Sequence, residues 1–221
     1  TSSLVHDDLP CMDDDMMRRG KASTWAEYGE DIGVLTGDAL MMYAFETAAN
    51  AFETSIDPDE LSRIGRAIGI LARKTGVYGM IGGQTVDVEL AGGPIPGDKL
   101  EFIYRLKTGA LIEASMLIGA VLGGAAEEDC KIVESLAAKI GMAFQIQDDI
   151  LDVTGSQDVT GKPSGSDEKN KKTTYVTLEG LEKAKQDVEK ISAEAIEELN
   201  KLPGNNDFLE QLIHLLIHRQ K

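Results

Sequence analysis

Residues 144–152, Phe144-Gln145-Ile146-Gln147-Asp148-Asp149-Ile150-Leu151-Asp152, set three carboxylates inside a stretch whose apolar residues recur at helical spacing. On a helix of about 3.6 residues per turn, Asp148 and Asp152 stand about 40° apart and share a face. Carboxylates crowded beside apolar side chains either take up protons or bind a hard cation. Magnesium suits such a pair, because it accepts oxygen ligands and keeps room for water and phosphate. The stretch reads as a metal-binding face on a long helix, expected over residues 128–153.

Outward from there, helical periodicity continues along almost the whole chain, and strand-like alternation of β-branched residues is nearly absent. Asp57, Pro58 and Glu60 read as N-cap, first helical residue and capping-box acid of a helix running toward Leu90. Gly92-Gly93-Pro94 would end it, and Asp98 would cap the next. Further helices are expected over residues 28–52, 100–122, 178–202 and 208–219. Long helices with short connections predict an all-α bundle of antiparallel neighbours. The most apolar stretch, 108–126, carries Glu113 and scattered glycines, which marks a buried bundle helix rather than a membrane span. With 221 residues, 42% of them apolar, and no shift in composition to mark a boundary, residues 1–221 are expected to form a single domain.

A second acidic cluster, Asp7-Asp8 with Asp13-Asp14-Asp15, lies near the start. On an unbroken helix Asp7 and Asp13 would stand about 240° apart and could not converge. Pro10 lacks an N–H, and its ring clashes with the carbonyl four residues back, so the helix must kink or end inside the cluster. A broken last turn permits Asp13 to return beside Asp7. Arg18-Arg19 follow directly, and Lys162 lies ten residues after Asp152. Arginine forks recognise phosphate bidentately and lysine supplies a mobile point charge, so acids with bound metal and nearby cations together describe a diphosphate site.

The charge balance sharpens this. A net charge of −16, from 38 acids against 22 bases, argues against nucleic acid or an anionic membrane as the main partner. An anionic substrate would have to be held through cations. Cys11 and Cys130 show no sign of a disulfide framework or thiolate metal site, so a cytoplasmic chain is expected; no signal peptide is visible in the sequence. Thr1 opens the chain in mid-pattern, as expected of a piece of a longer product.

HDDLPCMDDDMMRRGK (residues 6–21), FQIQDDILDVTG (144–155) and GKPSGSDEKNKKTTYV (161–176) together resemble the aspartate-rich motifs and lysine loop of the trans-prenyl diphosphate synthases. This is the family of farnesyl and geranylgeranyl diphosphate synthases. Lys107-Thr108-Gly109 and Gly83-Gln84 with Asp87 are similar to its further elements. The resemblance implies an isoprenoid-synthase helical bundle around a central cavity, with the two acidic motifs facing each other across its mouth and the family's N-terminal helices missing here. It implies Asp7 and Asp13 as ligands of two Mg²⁺ ions, and Asp148 with Asp152 as ligands of a third, with Asp8 and Asp149 in support. It further implies that Arg18 grips the allylic diphosphate and Arg19 the isopentenyl diphosphate, that Lys107 and Lys162 complete a cationic cage, and that Gln84 also binds substrate. Thr108 and Gln145 would place oxygens near an allylic cation.

The activity so implied is a Mg²⁺-dependent prenyltransferase joining isopentenyl diphosphate to an allylic diphosphate by ionisation, condensation and elimination. The family's homodimer is expected. Ser3 and Ser2 occupy the places four and five before the first aspartate, where an aromatic would block the growing tail in the family. Small side chains there predict a twenty-carbon product, with a fifteen-carbon farnesyl product as competitor should Met41, Met42 or Tyr43 close the tunnel. A non-catalytic regulatory subunit is one rival reading, usually marked by lost aspartates, and none is lost. A terpene cyclase is the other, but its second metal motif mixes Asn, Ser or Thr with Glu, whereas Asp148 to Asp152 keeps aspartates alone.

Lesser candidates resolve more simply. His214 and His218 read as a helix-end pair interacting with the dipole, since no acid has zinc spacing beside them. His6 sits by the first motif, near substrate or as packing. Trp25 reads as a local anchor in a loop, and Met16-Met17 and Met41-Met42 as lining or core.

Overall fold

A computed structural model describes residues 1–154, 173–217 and 219. The chain divides into two compact units, Thr1–Ile64 and Gly65–Lys221.

The first unit carries α1 (Ser2–Asp7), a two-residue antiparallel hairpin of β1 (Met17–Arg18) and β2 (Lys21–Ala22), α2 (Thr24–Tyr28), α3 (Glu30–Ala49) and α4 (Ala51–Thr54). The hairpin turns through Arg19 and Gly20, both at positive φ (54° and 77°), the backbone of the tight turns that match strand twist. Packing of α1 on α3 depends on Gly37. A Cβ there would lie 2.0 Å from the His6 ring, so the glycine forms the notch that the imidazole fills. His6 Nε2 also lies 3.0 Å from the Val34 carbonyl and 3.6 Å from Asp38, so it is a packing residue tying α1 to α3. Gly37→Ala is expected to force the ring out and destabilise the protein by about 1–2 kcal/mol, the overpacking cost less the helix preference gained. Thermal denaturation would show this as a lower melting temperature.

α5 (Pro58–Thr75) opens as its sequence dictates. Asp57 Oδ1 accepts the Asp59 N–H at 3.2 Å, and acids in the first turn with Arg73 and Lys74 in the last suit the helix dipole. Glu60 does not close a capping box. It accepts the Ser55 hydroxyl, whose oxygen in turn takes the Asp57 N–H.

The second unit holds α6 (Met80–Glu89), α7 (Gly97–Ile103), a π-helical segment (Tyr104–Gly109), α8 (Ala110–Leu122), α9 (Glu127–Thr154), α10 (Tyr175–Glu179), α11 (Leu181–Leu199) and α12 (Asp207–Ile217). The single helix expected from Pro58 to Leu90 is broken at residues 76–79. Gly79 folds so tightly that a Cβ would lie 2.0 Å from the Lys74 carbonyl, and hydrophobic periodicity carries no trace of such a turn. Asp98 lies inside the first turn of α7 and Pro96 takes the cap position. The helix expected over 178–202 begins earlier and is interrupted at Gly180 (φ 86°), with Thr174 and Thr177 forming a reciprocal capping box for α10.

The core follows the apolar faces. Leu136, Ile140, Ile146 and Ile150 of α9 pack with Ala184, Val188, Ala195 and Leu199 of α11 and with Ile213 and Ile217 of α12. Each fully buried Leu or Ile contributes about 1.5–3 kcal/mol. Among the described residues no helix is long and apolar enough to cross a membrane. Glu113, the acid that interrupts the apolar stretch, is buried in α8 and accepts a hydrogen bond from Lys74 of α5, which also bonds Glu134 of α9 at 3.1 Å. Burial draws the Lys74 amine down, but its two glutamates more than offset this and hold it above its ordinary value.

Candidate active site

In the first unit, α1 ends at Asp7 and the chain doubles back on itself. The amides of Asp13, Asp14 and Asp15 donate to the carbonyls of Asp7 (2.9 Å), Leu9 (3.1 Å) and Asp8 (3.1 Å). Pro10, with no amide of its own to donate, sits at the bend. Asp14 takes a left-handed backbone (φ 55°), which aspartate tolerates better than most residues. Asp13 is therefore returned to Asp7 by a closed loop, as the proline break permits. Trp25 fastens the far side by donating from Nε1 to the Asp15 carbonyl at 3.0 Å, from within α2 rather than from a loop.

The two acids of Asp7-Asp8 part company. Asp8 is buried and accepts from Arg18 Nε at 2.9 Å and from its Nη2, whereas Asp7 is half-buried and Asp13 and Asp14 are exposed. The hydrogen bond to Asp8 raises the Arg18 guanidinium further above its ordinary value. Arg18 thus braces the loop from β1, and Arg19, exposed at the hairpin tip, is the arginine displayed to solvent. Ser2 and Ser3 lie half-buried on α1, one turn before the acids, while Met42 and Tyr43 of α3 are exposed.

In the second unit, α9 runs unbroken through Asp148 and Asp152, so the two share the face their spacing predicts. Against α9 lies the π-helical segment, a form rare outside functional sites. Lys107 Nζ bonds Asp87 of α6 at 2.6 Å, and the Thr108 hydroxyl donates to Gln145 Oε1 at 2.8 Å. Glycines make both approaches possible. A Cβ on Gly83 would lie 2.3 Å from the Lys107 backbone nitrogen, and one on Gly141 would lie 2.8 Å from the Gly109 Cα. Gln84 is half-buried on α6 beside Gly83.

Three sets of contacts had no reading in the sequence. Asp149, expected as a supporting acid, is buried, and its Oδ2 accepts the Tyr104 hydroxyl at 2.5 Å and the Tyr175 N–H at 2.7 Å. Arg219 stacks 3.6 Å from the Phe144 ring centroid and donates to Asp148 Oδ1 at 2.8 Å, and burial pushes its guanidinium below its ordinary range. The third is the Lys74 triad, which a lone acid in an apolar helix should have signalled, since a buried carboxylate demands a cation or donors. Lys162 and His218 lie outside the described residues, and His214 lies 4.0 Å from Glu210, one turn back on its own helix.

These residues suit a hard divalent cation. The acids offer only carboxylate oxygen, and the returned loop brings Asp13 to Asp7. Among the described residues no three acids, histidines or cysteines group closely enough to hold a metal by themselves. Magnesium commonly takes one or two carboxylates and completes its shell with water and substrate phosphate, so pairs are the relevant unit.

The helical architecture is that of the isoprenyl synthases. It is similar to the FPP/GFPP synthase of Zymomonas mobilis (TM-score 0.83, 32% identity, covering 97% of this chain and 71% of that one). It is likewise similar to the geranyltransferase of Helicobacter pylori complexed with magnesium and isoprenyl diphosphate (TM-score 0.82, 35% identity, 98% and 69%). Residues 1–214 match the family profile "Polyprenyl synthetase", and the chain belongs to that family. Among curated relatives, the large subunit 1 of the heterodimeric geranylgeranyl pyrophosphate synthase of Arabidopsis thaliana is 45% identical over 202 residues, 90% of this chain and 54% of that protein. The geranylgeranyl pyrophosphate synthase of Capsicum annuum is 44% identical over 200 residues, 90% and 53%. The chain spans about half the length of these relatives.

Both plant relatives are chloroplastic, as is that of Catharanthus roseus, and this overturns the cytoplasmic expectation. Unpaired cysteines report the redox state of a compartment and not its address, so the composition could not have separated the two.

Proposed function

We propose that the protein is a short-chain prenyltransferase, condensing isopentenyl diphosphate with an allylic diphosphate to give geranylgeranyl diphosphate. The observation that carries the proposal is the π-helical turn, which sets Lys107 on Asp87 and Thr108 on Gln145 beside the acidic face of α9. Curated relatives named geranylgeranyl pyrophosphate synthases support it.

The acids Asp7 and Asp13, and Asp148 with Asp152, would hold Mg²⁺, three ions in all. Bound there, the metal supplies Lewis-acid neutralisation of the diphosphate as it leaves. Arg19, Lys107 and Lys162 would add positive charge, which stabilises the leaving group without a proton transfer. The allylic C–O bond breaks with its electron pair passing to diphosphate. The isopentenyl double bond then forms the new C–C bond, and a proton passes to the released diphosphate. Gln145 takes the Thr108 hydroxyl proton in a hydrogen bond, which leaves the hydroxyl lone pairs to face developing positive charge. Asp148 would have to exchange Arg219 for metal as substrate arrives. Residues 1–221 would work as one synthase domain, within a homodimer in a plastid.

One relative is named as the large subunit of a heterodimeric synthase, so a subunit role is the second reading. Retention of every motif aspartate favours a catalytic one. Incubating the intact protein with Mg²⁺, isopentenyl diphosphate and five-, ten- or fifteen-carbon allylic starters, then sizing the dephosphorylated products, tests both. A twenty-carbon product is expected, and absence of any product in the protein alone favours the subunit. Ser2→Tyr should shorten the product to about fifteen carbons, because an aromatic on this face of α1 fills the space a longer tail needs. Unchanged length would remove Ser2 from the tunnel wall.

A further inference from the structure

We infer that Tyr104 is a positioning residue for the second acidic motif, acting through Asp149; the inference rests on the synthase reading above. Asp148 and Asp149 are neighbours in sequence with opposite surroundings. Asp148 is exposed and paired with Arg219, while Asp149 is 5% exposed. A carboxylate so buried has to be met by donors, and a single oxygen of Asp149 receives two from different elements. One is the Tyr104 hydroxyl of the π-helical segment, and the other is the backbone N–H of Tyr175 at the start of α10.

The contact belongs to a ladder. Tyr104 meets Asp149 and Thr108 meets Gln145, so partners four residues apart on one side meet partners four apart on the other. Gly109 against Gly141 continues the close approach along the same two elements. The upper rung matters most, because Asp149 lies just before the last turn of α9, whose carbonyls have no partner within the helix. Pinning Asp149 fixes the rotation of this last part of α9, and with it the direction in which Asp148 and Asp152 present their oxygens. The same hydroxyl fixes the start of the segment that carries Lys107 and Thr108. Tyr104 thus sets the angle between the acidic face and the Lys-Thr pair without touching substrate.

Tyr104→Phe removes the hydroxyl and keeps the ring in its cluster with Ile95, Leu100 and Ile103, while the Tyr175 N–H still meets Asp149, so the melting temperature should fall by only a few degrees. Mg²⁺ affinity of the intact protein, measured calorimetrically with inorganic diphosphate present, should fall about 10-fold, the usual effect of losing an outer partner of a metal ligand. Turnover should fall similarly, with KM for isopentenyl diphosphate held within about twofold. The decisive comparison adds Asp149→Asn and the double variant. If Tyr104 acts through Asp149, its substitution adds nothing to the metal affinity already lost in Asp149→Asn. Additive losses, or wild-type affinity in Tyr104→Phe, overturn the inference alone. A melting temperature lowered by more than about 10 °C overturns it too, because several kcal/mol of lost stability would make Tyr104 a support of the fold. A wild-type protein that takes up no Mg²⁺ with diphosphate overturns the synthase reading, and this inference with it.

Discussion

Asp13→Ala is expected to lower turnover about 100- to 1,000-fold, the scale seen when one fixed stabiliser of leaving-group charge is removed, while the melting temperature stays near that of the unaltered protein. The two halves of this expectation have separate causes. The Asp13 side chain is exposed, and what it gives the fold is its backbone N–H to the Asp7 carbonyl, which alanine keeps. Only the carboxylate is lost, so the loop should close as before around a weakened metal site. Asp8→Ala makes the contrast. Removing that buried acid leaves Arg18 with its longer, 3.5 Å contact to Asp15, so stability should fall along with activity. Steady-state kinetics beside thermal denaturation separates the cases, and normal turnover in Asp13→Ala would remove this residue from the ligands.

Lys74→Met should have the largest effect on stability, about 3–5 kcal/mol, because it leaves Glu113 buried without its cation. The side chains of Lys74 and Glu113 are 18% and 5% exposed, so water can do little to replace the lost partner. The loss would be felt where α5, α8 and α9 meet. Pairing Lys74→Met with Glu113→Leu removes both charges, and stability should largely return, since an apolar pair of similar size is tolerated where half an ion pair is not. Chemical denaturation of the two variants measures the difference, and equal midpoints would mean that Glu113 finds another donor.

The all-α class, the long α9 and the loop return at Pro10 were legible because each depends on local properties: periodicity, a missing amide, a cap. Asp148 and Asp152 were placed correctly on one face for the same reason. What escaped depends on contacts between segments distant in the chain. The break between α5 and α6 is the exception: Arg73-Lys74 followed by Gly76 and Gly79 is a local stop signal, masked because the apolar rhythm runs on through Val77 and Tyr78. Asp149 was read as a supporting acid, but its burial against Tyr104 and Tyr175, 45 and 26 residues away, had no local sign. Arg18 was read for its affinity for phosphate, and its contact with the buried Asp8 was not anticipated. The address of the protein in the cell was never encoded in the properties that were read.

A helix behaves as a screw, and the π-helical turn at Tyr104–Gly109 is a place where the thread has been widened. Deleting one residue there would retract the chain by only about 1.5 Å, yet it would swing every side chain beyond it by about 100° relative to those before. Drift by single-residue insertion or loss, harmless in a surface loop, would at this point disengage the lysine and threonine from their partners in one step. The widened thread makes the chain's length here as binding a constraint as its chemistry.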